Sequence, residues 1–256
     1  MSQAGSRSTA FRWLGDLRRA GDRFLFPPIC AGCETDIEES ATEVALCADC
    51  RRVFDRPTGT ICPRCAAPAP SVSIRPTGCI YCADTSFRFD RIAALGVYEN
   101  RLQAFVLAMK EPYHESLSLA AGKLLAGHIH ECRWDPQPEL VAPVPMHWWR
   151  RMRRGVNPAS LLAETISREL RIPWLDDLGR VVRWMPRQST LTPSRRRRNM
   201  RNAYRLSSAY HVTGAHVLLV DDVLTTGATA NAFSQALRLA GAASISFAVV
   251  ARGIGA

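Results

Sequence analysis

The chain has 256 residues, enough for one large domain or an ordinary domain plus a smaller one. Its hydrophobic fraction of 47% and charged fraction of 22% exclude a wholly disordered, collagen-like or coiled-coil protein. The net charge of +10 is concentrated in residues 150–205, where fifteen arginines face only Glu164, Glu169, Asp176 and Asp177. That balance suits a solvated basic face or a site for polyanions, meaning phosphates or nucleic acid.

At the N-terminus, Phe11, Trp13, Leu14, Phe24, Leu25 and Phe26 make residues 11–26 partly amphipathic, and Pro27-Pro28 ends the stretch. The segment is expected to pack onto its own protein or a partner in preference to a membrane surface. Arg12, Asp16, Arg18 and Arg19 interrupt any apolar leader, and no run of about 18 apolar residues occurs downstream, so the expected location is the cytoplasm with no integral membrane contact.

Eight of nine cysteines then fall in four C-x-x-C pairs: Cys30/Cys33, Cys47/Cys50, Cys62/Cys65 and Cys79/Cys82. A two-residue spacer turns both sulfurs toward one ion, and two such knuckles complete a tetrahedral four-cysteine zinc site. Residues 34–46 and 66–78 separate the knuckles by 13 residues each, an internal repeat that predicts tandem zinc ribbons with one or two ions. Four thiolates leave no position for a substrate. The metal is therefore structural, supplying folding energy that so short a segment cannot draw from a core. Disulfides would need an oxidising compartment.

From residue 86 onward the pattern becomes α/β. Residues 92–98 predict a strand, and 100–110 and 116–131 predict helices divided at Pro112. Residues 140–144 predict a short buried strand, and 158–170 a helix with Asn157 as N-cap and Pro158 at its first position. Val181-Val182 marks another strand. Residues 217–220 predict a buried strand ending at Asp221-Asp222, 228–240 a helix stopped by Gly241, and 245–250 a last strand. Such alternation predicts a mostly parallel sheet with flanking helices, and ligands in such sheets bind beyond the carboxyl ends of the strands. The expected domains are a segment over 1–28, a Cys-rich module over 29–85 and an α/β domain over 86–256.

The most informative stretch is Val217-Leu-Leu-Val-Asp-Asp-Val-Leu-Thr-Thr-Gly-Ala-Thr229. A strand carries Asp221 and Asp222 to the sheet edge, a loop of Thr225, Thr226 and Gly227 comes next, and a helix opens with Ala228 and Thr229. Gly227 lets backbone N–H groups turn inward, the threonines add hydroxyl donors, and the helix start favours an anion. The carboxylates accept hydrogen bonds from vicinal sugar hydroxyls or help to hold Mg²⁺. A phosphate cradle beside paired acids describes a ribose 5-phosphate site. The stretch is similar to the signature of the type I phosphoribosyltransferases, which bind phosphoribosyl pyrophosphate (PRPP).

The order of motifs extends the likeness. Four knuckles are succeeded by Pro143-Val-Pro145, an arginine run through Arg150, Arg151, Arg153 and Arg154, then Gly155 and Asn157. Gln188, Leu191, Arg198 and Asn199 precede the signature. In this order the chain resembles the ComF family, with a double zinc ribbon and a phosphoribosyltransferase domain. The resemblance implies a type I phosphoribosyltransferase fold, with Arg150, Arg151 and Arg154 approaching pyrophosphate, and residues 187–203, including Arg198 and Asn199, closing over the site. The chain departs from the family's usual pattern at Lys110, which is succeeded by Glu111-Pro112-Tyr113.

The activity implied by the resemblance is transfer of the phosphoribosyl group, with Asp221 and Asp222 holding the ribose, Mg²⁺ accompanying PRPP and an acceptor the residues do not name. The resemblance also implies a link to natural competence and single-stranded DNA, with the ribbons contacting DNA-uptake proteins. Trp148, Trp149 and Tyr204 lie among the arginines, where base stacking or packing are the alternatives. The rival reading is a non-catalytic PRPP sensor or an adaptor for single-stranded DNA on the same fold.

Overall fold

Short β-branched and aliphatic runs separated by amphipathic stretches leave little choice but strands covered by helices. The computed structural model describes residues 28–37, 44–55, 59–146, 152, 155–182 and 203–254. Residues 11–26 lie outside them. The chain divides into two compact units, Met1–Arg51 and Arg52–Ala256.

The cysteine repeat is a repeat of backbone geometry. In the first unit the Cys30 N–H donates to Thr35 O, the Glu34 N–H donates to Cys30 O (both 2.8 Å), and Ile29 bridges Asp36. In the second unit the Cys62 N–H donates to Ala67 O, the Ala66 N–H donates to Cys62 O (both 2.9 Å), and Ile61 bridges Pro68. Each turn closes on a residue of positive φ, Glu34 at 61° and Ala66 at 56°. The second knuckle of the first cluster leads into the short helix α1 (Ala48–Arg52).

In the second unit, β1 (Arg91–Val97) is followed by α2 (Asn100–Ala108), α3 (Glu115–Glu131), β2 (Leu140–Pro143) and α4 (Pro158–Leu170). The hairpin strands β3 (Gly179–Val181) and β4 (Tyr204–Leu206) precede β5 (His216–Leu224), α5 (Ala228–Leu239) and β6 (Ser244–Arg252). The main sheet is parallel, in the order β1-β6-β5-β2, and β3 and β4 form a separate antiparallel pair. Alternate residues of a strand face opposite sides. Val217 and Leu219 of β5, with Ile245, Phe247 and Val249 of β6, join Phe233 and Leu237 of α5, Leu178, and Tyr204 of β4 in one core. Helices α3 and α4 pack together and against the sheet strands. None of the helices described is long and apolar enough to cross a membrane.

The expected elements are present, with two instructive differences. The acid pair was expected at the end of its strand; β5 instead runs through Asp221 and Asp222 to Leu224. The reason is β6, whose nine residues continue to offer ladder partners, pairing Asp221 with Val249, Val223 with Ala251 and Leu224 with Arg252. Asn157 does occupy the N-cap of α4 with extended φ and ψ, and Pro158 the first turn, but its side chain makes no capping bond. Instead its carbonyl accepts the Ser160 and Leu161 N–H groups. Tyr204 is buried against Phe233, with ring centroids 5.2 Å apart, which assigns it to packing.

Candidate functional site

Strand β5 is an interior strand flanked by β6 and β2, so its carboxyl end opens at the centre of the sheet edge, where ligands of open α/β sheets collect. Past Leu224 the chain turns through exposed Thr225 and Thr226 into Gly227, which caps α5 with φ 72° and ψ 9°. That left-handed conformation favours glycine. The Asn231 N–H closes the first helical turn on Gly227 O at 2.8 Å, and Thr226 Oγ1 accepts the Ala228 N–H at 3.4 Å. Thr229 is exposed in the first turn. Backbone N–H groups of this first turn and the hydroxyls of Thr225 and Thr226 thus lie at the positive end of α5, an arrangement suited to a phosphate monoester. Beside it, the Val144 N–H donates to Val220 O at 2.8 Å, bringing Pro143-Val-Pro145 alongside the acids.

Asp221 and Asp222 differ in surroundings. Strand geometry sends adjacent side chains to opposite faces. Asp222 meets Lys110, just beyond α2, with Nζ 2.7 Å from Oδ2; each side chain is about one fifth exposed, at 19%. Asp221 accepts the Asp222 N–H on Oδ1 at 2.9 Å. Burial, then the neighbouring Asp222 charge, push the Asp221 carboxyl well above the usual range, opposed by the Asp222 N–H and Lys110. The site holds one carboxylate neutralised by an ammonium and a second that is costly to ionise until a ligand or cation arrives.

Each cysteine cluster fits a zinc ion. Cys30, Cys33, Cys47 and Cys50 bring their sulfurs within 4.8 Å of one another, as do Cys62, Cys65, Cys79 and Cys82. Separations of 3.6 Å for Cys33–Cys47 and Cys65–Cys79, and 3.8 Å for Cys62–Cys82 and Cys79–Cys82, match the roughly 3.8 Å edge of a tetrahedron with Zn–S bonds of about 2.3 Å. No disulfide joins them. Backbone N–H groups of Cys47 and Gly32 point at the Cys30 sulfur, and that of Cys79 at Cys82. Burial and neighbouring thiols push Cys50 and Cys65 up, whereas Thr35 pulls Cys33 down to about 6. Four crowded thiols cannot all ionise without a cation, and each cluster supplies the donor set for one.

Of the residues singled out in the sequence, the structure brings Asp221, Asp222, Thr225, Thr226, Gly227, Ala228 and Thr229 together at one sheet edge, and all eight paired cysteines into two clusters. Arg150, Arg151, Arg154, Arg198 and Asn199 lie outside the described residues. So does most of the segment 187–203, whose flanks are joined through the β3–β4 pair and a Val182 N–H donated to Ala203 O at 2.9 Å.

Three residues contribute to which the sequence alone assigned no role. Lys110 is now tied to Asp222. Arg252, buried at the end of β6, donates Nη1 to Leu224 O at 2.9 Å, Thr225 O at 2.6 Å and Gly253 O, which fastens the strand end where the loop begins. Asn231 clamps α5 to residues 86–88. A charged residue closing an apolar strand, as in Ala-Val-Val-Ala-Arg252, is the one signal that would have drawn attention to Arg252.

Comparison with known proteins gives two domain matches: a phosphoribosyl transferase domain over residues 154–255 and a double zinc ribbon domain over residues 23–86. Among curated proteins, the chain is 29% identical over 222 residues to "DNA utilization protein YhgH" of Salmonella typhi, covering 86% of this chain and 94% of that one. It is 30% identical over 203 residues to the protein of that name from Escherichia coli K12, covering 78% and 87%. It is 32% identical over 167 residues to "Competence protein F" of Haemophilus influenzae, covering 64% and 73%.

Proposed function

Because the chain belongs to the ComF family, which joins a double zinc ribbon to a type I phosphoribosyltransferase domain, we propose that it binds PRPP or a related ribose 5-phosphate at the carboxyl end of β5. The observation that carries the proposal is the continuity of one strand, one turn and one helix: Asp221 and Asp222 on β5, the left-handed Gly227, and the N-terminus of α5. Thr225, Thr226, Gly227, Ala228 and Thr229 receive the 5-phosphate. Asp221 and Asp222 accept the ribose hydroxyls and offer hard oxygen donors that fit Mg²⁺. When bound, Mg²⁺ supplies charge stabilisation for departing pyrophosphate.

Lys110 holds the Asp222 side chain at the acid-rich end of β5 through their 2.7 Å ion pair. Arg150, Arg151 and Arg154, with Arg198 and Asn199, supply the positive charge for pyrophosphate. Attack at the anomeric carbon breaks its bond to pyrophosphate and joins it to the acceptor, which makes the protein a phosphoribosyltransferase. The concentration of arginines in residues 150–205 exceeds what one ligand requires and favours a second polyanion, single-stranded DNA. The relatives' names, DNA utilization and competence, support a role with DNA; in this reading the protein handles imported strands in the cytoplasm, with the ribbons as the face toward uptake proteins. If turnover is absent, the same site serves a PRPP sensor or DNA adaptor.

Calorimetric titration of PRPP with Mg²⁺, beside an Asp221→Asn/Asp222→Asn control, tests the site. Binding lost in the control supports it, and equal binding removes the ribose assignment. Pyrophosphate release on adding candidate acceptors separates enzyme from sensor.

A further inference from the structure

The second cysteine cluster and the phosphate loop share a residue, Phe87. Its ring packs against the cluster of Cys62, Cys65, Cys79 and Cys82. It also stacks on Phe89 at 4.7 Å, and Phe89 on Phe247 of β6 at 5.2 Å. On its other side it fills the space beside Gly227: a Cβ built on that glycine would lie 2.6 Å from Phe87 Cε1.

Two further ties run along the same path. Arg64, inside the Cys62/Cys65 knuckle, lies 5.8 Å from the Phe87 ring centroid and donates to Thr77 O, Cys82 O (3.0 Å) and Thr85 O (2.5 Å). Asn231, in the first turn of α5, donates Nδ2 to Ser86 O at 3.0 Å and accepts the Arg88 N–H at 2.8 Å. The chain leaving the cluster is thereby stitched on both sides of Phe87 to the helix whose start forms the phosphate cradle. From the opposite side, Ile254 packs on the cluster one residue after Gly253, whose N–H donates to Leu224 O at 2.8 Å.

We propose that the second four-cysteine site, when it holds its metal, positions the phosphate loop through Phe87 and Asn231, so that the order of residues 225–231 and affinity for a phosphate monoester depend on that site. The proposal rests on the reading of this loop as the phosphate cradle. An exposed loop with a glycine in it loses substantial conformational freedom on ordering. A ring against Gly227 and two hydrogen bonds to Asn231 make that ordering before the ligand arrives. Linkage then requires the reverse effect: a ligand on the loop tightens metal binding at the cluster.

The test uses full-length zinc-loaded protein and the variants Phe87→Ala, Phe87→Leu and Asn231→Ala, with zinc content, hydrogen exchange of residues 223–232 and PRPP affinity measured on each. The expected result is retained zinc, loop exchange faster by about tenfold, and PRPP affinity weaker by about tenfold in Phe87→Ala and Asn231→Ala, with substantial recovery in Phe87→Leu. PRPP should also reduce the equilibrium transfer of zinc to a competing chromogenic chelator in the wild type, and less so in Asn231→Ala. Unaltered loop protection in both alanine variants overturns the proposal. Should Phe87→Ala lose zinc, Asn231→Ala decides alone, because its side chain bonds to backbone outside the knuckles. Wild-type protein that binds no PRPP, with a loop deprotected in the variants, removes the ligand assignment and upholds the positioning contact.

Discussion

Lys110 and Asp222 form an ion pair of 2.7 Å that joins the turn after α2 to the far end of β5. The pair gives the acid-rich end of the strand its counter-charge.

Replacing Lys110 with Met is expected to destabilise the protein by about 1–2 kcal/mol, less than for a fully buried pair because each partner keeps some access to water. For a chain of this size that lowers the thermal midpoint by roughly 2–8 °C. Lys110→Met/Asp222→Asn should recover part of the loss, and a thermal-melt double-mutant cycle measures the coupling. Strict additivity would mean the contact carries no energy.

Asp221 bears on pH. Its carboxyl is raised above the value in the unfolded chain, so the folded state favours the neutral acid. The resulting stability is fully present below the unfolded value and disappears as pH rises through the folded one. Asp221→Asn, which stays neutral, should therefore melt higher than the wild type at neutral pH, and the gap should close on acidification. The same variant should lose PRPP affinity. A gap independent of pH would contradict the assignment.

Arg252 is expected to be intolerant of neutral replacement. Its guanidinium serves three carbonyls in a buried place, and Arg252→Gln leaves at least one acceptor without a donor, at a cost of about 2–4 kcal/mol. Urea unfolding should show that loss, and PRPP titration should show a weaker site even where the variant folds. Full stability would mean the carbonyls find other donors.

Metal removal should act on the cysteine-rich segment first. Intact protein should carry two zinc ions, and a chelator should expose eight paired thiols to a thiol reagent together with a fall in the order of residues 28–85. Metal-free protein with eight thiols already reactive would refute the ribbon assignment.

The cysteine spacing and the stretch from Asp221 to Thr229 were legible because their chemistry is local: a knuckle or a strand–turn–helix cradle is written within a few consecutive residues. Helices α3 and α4 and the strands were legible because periodicity announces them. The Lys110–Asp222 pair was not, since it depends on a sheet order that sets β1 and β5 on either side of β6. Family pattern argued against Lys110 because Glu111-Pro112-Tyr113 comes after it, yet position in the fold, and not its neighbours in sequence, decides what its ammonium meets. The continuation of β5 through the acids was hidden for a similar reason: the partner that sustains it, β6, lies after it in the chain.

The division of the chain after Arg51 has a practical side. A protein engineer trimming the cysteine-rich portion by eye would cut near residue 86, where the composition changes. That cut removes the cysteine cluster on which Phe87 packs and bares that ring to solvent. A fragment beginning at Arg52 keeps the second cluster with the sheet it supports. Recombination between relatives should follow the same seam, so that the second cluster travels with the sheet of its own unit.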